Sequence, residues 1–266
     1  MTNENMINDL SAQLPLFSSA ALSELGKEIS VTYGFEWCSQ AEPSGDLAFW
    51  LMLDELGLQL MSGGPQAPGP LKVEFAEGAH EHRRKFGGGA GQPVARAVGA
   101  KAGEQLTVLD ATAGLGGDAY VLASLGCHVT LCERTALAAA LLEDGLRRAI
   151  HDAEVGHIIQ RMTLNHVDAH EFLAKQAPAS FDVVFLDPMF PEKGKQAKAK
   201  KSMFIFQQLL SGDPDADSLL DLARRVAKKR VVVKRPKQAP FLAGLKPSGS
   251  QSGESTRFDL YAPIKP

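Results

Sequence analysis

From Leu106 onward the chain alternates between two hydrophobic patterns. Short, nearly continuous apolar runs rich in valine and leucine are separated by longer stretches in which apolar residues recur every three or four positions. The runs predict strands at 106–110, 128–133, 157–164, 181–187 and 230–234. The stretches between them predict helices at 117–125, 135–150, 168–175 and within 197–227. Strictly alternating strands and helices imply right-handed crossovers and a mostly parallel sheet covered on both faces. Near the C-terminus the pattern changes. Residues 245–254 are rich in glycine and serine and lead into Arg257-Phe-Asp-Leu-Tyr261, which suits a closing hairpin with an antiparallel last strand.

Residues 1–75 lack this alternation. A helix is expected over 18–28, and strands over 47–53, 57–61 and 71–75, with the glycine- and proline-rich 62–70 as a hairpin connector. The expected architecture is therefore an α/β domain at 79–266 preceded by a small α+β subdomain at 1–78. No internal repeat or long low-complexity tract is visible.

Composition narrows the setting. Hydrophobic residues make up 44% and charged residues 22% of the 266, with a net charge of −3, which argues against a uniformly basic nucleic-acid-coating surface. Cys38, Cys127 and Cys132 have neither an even count nor metal-ligand spacing. The first residues carry no basic leader, and no apolar run is long enough to span a bilayer. The expectation is a reduced, cytoplasmic location, with no membrane partner and no metal; His80 and His82 have no third ligand suitably spaced. Nothing in the string sets an oligomeric state.

The chemistry concentrates in two strings. Asp110-Ala-Thr-Ala-Gly-Leu-Gly-Gly-Asp118 ends the first strand and opens a helix. Within it, Gly114-Leu-Gly-Gly-Asp-Ala119 fits G-x-G-x-x-A, where a tight turn lets a ligand approach the backbone. Glu133, at the end of the next strand, is placed to accept ribose hydroxyls. Asp118 would sit well on a helix dipole but would repel a pyrophosphate at the same N-terminus. Asp110, Asp118 and Glu133 around one pocket therefore favour S-adenosylmethionine, whose sulfonium and ammonium are cationic, over a dinucleotide. The glycine string alone still permits an NAD(P)-dependent oxidoreductase. Asp168, after the third strand, is either an adenine-side contact or an ordinary helix N-cap.

The second string, Asp187-Pro-Met-Phe-Pro191, breaks the buried run Phe181–Leu186 with two prolines that pin the backbone past the sheet edge. An exocyclic amine on a base is a poor nucleophile because its lone pair is delocalised. Asp187 could accept its N–H hydrogens and localise that lone pair, while Pro188 fixes the loop and Phe190 stacks on the base. Asp187, Pro188 and Phe190 are the candidate catalytic residues.

These strings resemble class I S-adenosylmethionine-dependent methyltransferases, the second being similar to the [D/N]-P-P-[Y/F/W] motif of enzymes that methylate exocyclic amines. His82-Arg-Arg-Lys-Phe-Gly-Gly-Gly89, the Asp110 string, Leu125-Gly-Cys-His-Val-Thr-Leu131 with Glu133-Arg134, the Asp187 string, Arg230-Val-Val-Val-Lys-Arg-Pro236 and Arg257-Phe-Asp-Leu-Tyr261 together resemble the bacterial RsmJ family. The resemblance covers about residues 75–262. It implies a Rossmann-like class I fold and guanine-N2 methylation near the 3′ end of 16S rRNA, on the RNA or the small ribosomal subunit. It also implies cofactor contacts at Gly117-Asp118, Glu133-Arg134, Asp168-Ala169 and Asp187, beside Asp110 and Gly114. Family members often carry a basic residue where Gly117 stands and small hydroxyl residues where Asp168-Ala169 stand. Another RNA or DNA base, or a non-catalytic role in ribosome assembly, stays open as an alternative.

Basic segments supply candidate RNA contacts. Arg83, Arg84 and Lys85 precede a glycine run, and Lys193 and Lys195, followed by Lys198, Lys200 and Lys201, come directly after the acceptor string. Lys234 and Arg235 end the fifth strand at the same sheet edge as Asp187, whereas Lys228 and Lys229 lie at its far end.

Overall fold

The computed structural model describes residues 13–40, 42–43, 47–65, 67–77, 89–101, 103–189, 206, 209, 212–253 and 255–265. By proximity of Cα atoms the chain divides into two units. One comprises Met1–Val73, Thr135–Gly145 and Glu192–Gly212, and the other Glu74–Arg134, Leu146–Pro191 and Asp213–Pro266. The first break of this division lies at Val73/Glu74, and two later segments group with the first unit.

In the first unit, β1 (Pro15–Ser18), β2 (Glu36–Trp37), β3 (Phe49–Asp54) and β4 (Gly57–Ser62) form a sheet of order β2-β1-β3-β4. β1 runs parallel to both β2 and β3, while β3 and β4 form an antiparallel hairpin. Leu51, Leu53, Leu58 and Leu60 are buried, which fixes the hairpin register because a one-residue slip would expose them. The helix expected at 18–28 is displaced: α1 spans Ser23–Tyr33 and ends on Gly34 with φ 77°. The strand expected at 71–75 reduces to one bridge, Leu71 to Leu60.

The second unit is built on a seven-stranded sheet. Its strands are β5 (Thr107–Asp110), β6 (His128–Glu133), β7 (Met162–His166), β8 (Phe181–Leu186), β9 (Ala227–Pro236), β10 (Gly249–Ser252) and β11 (Thr256–Tyr261). The order is β10-β11-β9-β8-β5-β6-β7. β5 to β9 are mutually parallel where they pair, and β11 is antiparallel to β9 and β10. The order reverses between β5 and β8, so their C-terminal ends flank the crevice in which open α/β sheets bind ligands. Asp110 and Asp187 stand at those two ends.

Further helices are α2 (Pro93–Val98), α3 (Gly117–Ser124), α4 (Ala136–Ala149), α5 (Gly156–Ile159), α6 (Ala169–Lys175) and α7 (Ala216–Val226). In α4, residues to Gly145 group with the first unit and the rest with the second. In α7, Ala216, Leu219, Leu220, Ala223 and Val226 are buried, a 3–4 spacing that gives one apolar stripe. That stripe packs with Leu173 of α6 onto Leu109, Val184, Leu186, Val231 and Val233. The alternate residues Val108, Val183, Phe185 and Val232 are buried as well, as expected of a parallel sheet covered on both faces. The strand expected at 157–164 is corrected: 156–159 form a helical turn closed by Gln160 N–H to Gly156 O, and the strand starts only at Met162, opposite Val129.

Candidate active site

The turn after β5 takes its shape from its glycines. Gly114 has φ 53° and Gly116 φ 76°, left-handed values that a side chain disfavours, and Gly116 is the residue from which α3 starts. The Gly114 N–H donates to Glu133 Oε2 at 2.8 Å, so the carboxylate expected to meet ribose hydroxyls also fixes the turn. Asp187 N–H donates to Thr112 Oγ1 at 2.6 Å, tying the end of β8 to the end of β5. Thr112 was not singled out from sequence.

Behind the turn, acids gather around one amine. Lys234 Nζ lies 2.9 Å from Asp118 Oδ2 and 2.7 Å from Asp187 Oδ2. Lys234, expected from its place at the end of β9 to be a candidate RNA contact, pairs its amine with both of these carboxylates. Burial lowers its affinity for a proton, but the two carboxylates outweigh that and hold its pKa above the ordinary value. Asp110 is 2% exposed. Burial pushes its carboxyl up to about 8; the Thr112 N–H opposes the rise, Asp118 and Asp187 add to it, and Lys234 lowers it. Asp187 is likewise raised by burial, with Lys234 opposing.

A second network holds the acceptor loop. Arg134, directly after Glu133, contacts Asp213 at 2.7 Å, Asp215 at 3.0 Å and Asp168 at 3.8 Å. The other oxygen of Asp213 accepts the Met189 N–H at 2.7 Å. Asp213 and Asp215 escaped the sequence reading, although Gly212-Asp213-Pro214-Asp215 before an amphipathic stretch is a recognisable helix-start signal. Asp168 is the N-cap of α6, accepting the His170 and Glu171 N–H groups, and Ala169 is that helix's first residue. Asp168, His170 and Asp215 offer ligand atoms within 4.8 Å of one another, as a metal site would. The Arg134 guanidinium already supplies positive charge to two of them.

Other expectations resolve differently. Arg235 is 5% exposed and donates to Pro240 O at 3.0 Å, because alternation along β9 turns it inward when Lys234 faces the site; it is a packing residue and not a surface RNA contact. Lys229 lies 3.6 Å from Asp182 and 3.7 Å from Glu104, at the opposite sheet end. Arg257 and Asp259 pair with each other at 2.9 Å within β11, so that string closes the sheet. Pro188 is buried beside Asp187. His80, His82, Arg83, Arg84, Lys85, Phe190, Pro191, Lys193, Lys195, Lys198, Lys200 and Lys201 lie outside the described residues.

The acid-lined crevice suits a cationic ligand, and Asp118 in the first turn of α3 sets a like charge where a pyrophosphate would sit. Comparisons with known proteins decide the matter. Residues 37–263 match the family model described as "Putative SAM-dependent methyltransferase". A ribosomal RNA small subunit methyltransferase J from Laribacter hongkongensis is 58% identical over 198 residues, 74% of this chain and 70% of that one. The protein of the same name from Cellvibrio japonicus is 51% identical over 226 residues, 83% and 85% of the two chains. The chain belongs to the ribosomal RNA small subunit methyltransferase J family. Among solved structures, a SAM-dependent methyltransferase from Neisseria gonorrhoeae superposes with TM-score 0.72 at 35% identity, covering 94% of this chain and 96% of that one. As a member of this family the chain is an S-adenosylmethionine-dependent methyltransferase on a class I α/β fold, and the oxidoreductase reading falls away. Among the described residues, no helix is long and apolar enough to cross a membrane.

Proposed function

We propose that the protein methylates the exocyclic N2 amine of one guanine near the 3′ end of 16S rRNA, in the cytoplasm, on the RNA or the small subunit. The observation that carries this reading is identity above 50% with proteins named for small-subunit rRNA methylation, across 80% or more of both chains. The N2 amine is supported by Asp187, which follows the strand beside the glycine turn. Residues 79–266 form the catalytic domain in this proposal.

Each candidate residue has a role in this proposal. Asp110, Gly114, Gly117, Asp118, Glu133, Arg134, Asp168 and Ala169 line the donor side. Asp110 and Asp118 attract a cationic group, Glu133 accepts ribose hydroxyls, and Asp168 and Ala169 border the adenine end. S-adenosylmethionine supplies an electrophilic methyl on sulfur, whose bond breaks as the new carbon–nitrogen bond forms. On the acceptor side, Lys234 occupies Asp187 Oδ2, which leaves Oδ1 to accept an amine N–H and then the proton that the methylated nitrogen sheds. Pro188 holds the loop and Phe190 stacks on the base. Arg83, Arg84, Lys85, Lys193 and Lys195 bind RNA phosphates.

The test is transfer of tritiated methyl groups to 16S rRNA and to small subunits from cells lacking the mark, followed by mapping of the modified nucleotide. Wild type is expected to label one guanine, and Asp187→Ala to lower the rate by about 10²–10³-fold, as for loss of a group aimed at developing charge. Labelling of another base would refute the acceptor assignment. Full activity in Asp187→Ala would refute its role.

A further inference from the structure

We infer that Lys234 is a positioning residue: by bridging Asp118 on the donor side and Asp187 on the acceptor side, its ammonium holds Asp187 ionised and aimed for the amine. The inference rests on the proposed role of Asp187 and extends it. Three observations carry it. Lys234 Nζ is within 2.9 Å of both carboxylates, a geometry of charge-assisted hydrogen bonds. The bridged residues come from different elements, the first turn of α3 and the loop after β8, and Lys234 comes from a third, β9. Its neighbours on the strand, Val233 and Arg235, are turned into the core and the Pro240 carbonyl, so the sheet fixes where the amine goes.

The charges facing this group favour such a role. Asp118 on α3 and Asp187 after β8 act on Asp110 at the end of β5, and Asp118 and Asp213, before α7, act on Asp187. Lys234 is the cation that acts on both Asp110 and Asp187. Without it, a partly buried carboxylate among like charges takes up a proton. A protonated Asp187 donates where it has to accept, so the amine lone pair is no longer drawn toward the donor side. The raised pKa of Lys234 keeps the ammonium charged throughout the working range.

The experiment is a carboxyl-carbon NMR titration of the full chain, with Asp187 assigned by the signal missing from Asp187→Asn. It compares wild type with Lys234→Met, Lys234→Arg and Asp118→Asn, and needs no substrate. Lys234→Met is expected to raise the Asp187 midpoint by about 1–3 pH units, the shift an opposite charge at this range produces. Lys234→Arg should stay close to wild type, and Asp118→Asn should move the midpoint down by removing a like charge. The acid limb of kcat, measured at saturating cofactor and RNA, should move in the same order. An unmoved midpoint in Lys234→Met, or a rise in Lys234→Arg as large as in Lys234→Met, overturns the inference. If Lys234→Met does not fold, a midpoint in Asp118→Asn that fails to fall does so instead. Shifted midpoints in a protein that labels no guanine would sink the substrate reading alone.

Discussion

At the scale of single residues, the site is organised by side chains that grip the backbone of its own loops. Glu133 takes the Gly114 N–H, Thr112 takes the Asp187 N–H, and Asp213 takes the Met189 N–H. Asp213 is the most informative of these, because its second oxygen is held by Arg134 at 2.7 Å, and burial raises its pKa against the help of Met189 and Arg134. Asp213→Ala would leave Met189 and Arg134 without that shared partner and release the residue two beyond Asp187. A displacement of about 1 Å in a positioned reactant costs roughly 10²-fold. We expect kcat to fall by about that factor, while affinity for S-adenosylhomocysteine, read by calorimetry, falls far less. Equal losses in both would show that Asp213 supports the donor pocket instead of the acceptor loop. No local pattern announces this role, since the contact joins residues 24 apart across the sheet edge. Asp118, Glu133 and Asp187 were readable because each ends or opens an element whose period is plain in the sequence.

At the scale of elements, legibility follows the length and uniformity of each pattern. The 181–187 and 230–234 runs carry the unbroken apolar stretches Val183–Leu186 and Val231–Val233 and were readable as strands; β9 proves longer because Ala227 pairs with β8 at one end and Arg235 and Pro236 pair with β11 at the other. The 157–164 run mixes Ile158-Ile159 with Gln160-Arg161, and a single helical turn uses the first pair before the strand begins. Four-residue β1 carries too little pattern to show a period, and it exists because β2 and β3 pair with it on both sides. Asp168 was open between cofactor contact and N-cap, and its carboxylate does cap α6, accepting the His170 N–H at 2.8 Å. Removing a cap of this kind costs about 0.5–2 kcal/mol. Asp168→Ala should lower the unfolding free energy by that amount in urea, whereas Asp168→Asn, which can still cap, should lose much less. If both substitutions weaken binding of S-adenosylhomocysteine equally while differing in stability, the residue serves cap and ligand together. If neither weakens it, the cap is its whole role.

At the scale of the whole molecule, folding and ligand binding make opposite demands on Asp110. The sheet places this carboxyl at the switch point, 2% exposed, where its pKa rises from 3.8 to about 8. A carboxyl with a higher pKa folded than unfolded binds more protons in the folded state between those two values. Stability from this group therefore falls as pH rises from about 4 to about 8 and stays reduced above. A cationic ligand reverses the preference, because it favours the ionised carboxylate beside it. Binding of S-adenosylmethionine near pH 7 should thus release a proton, seen as a binding enthalpy that depends on the ionisation heat of the buffer, and affinity should strengthen up to about pH 8. Asp110→Asn keeps an oxygen for the Thr112 N–H and loses the titration. Its thermal midpoint should match that of wild type near pH 4, exceed it increasingly toward pH 8, and be accompanied by weaker binding without proton release. A stability difference that is the same at both ends of the range would mean that Asp110 is ionised throughout, and that its neighbours, chiefly Lys234, already offset its burial.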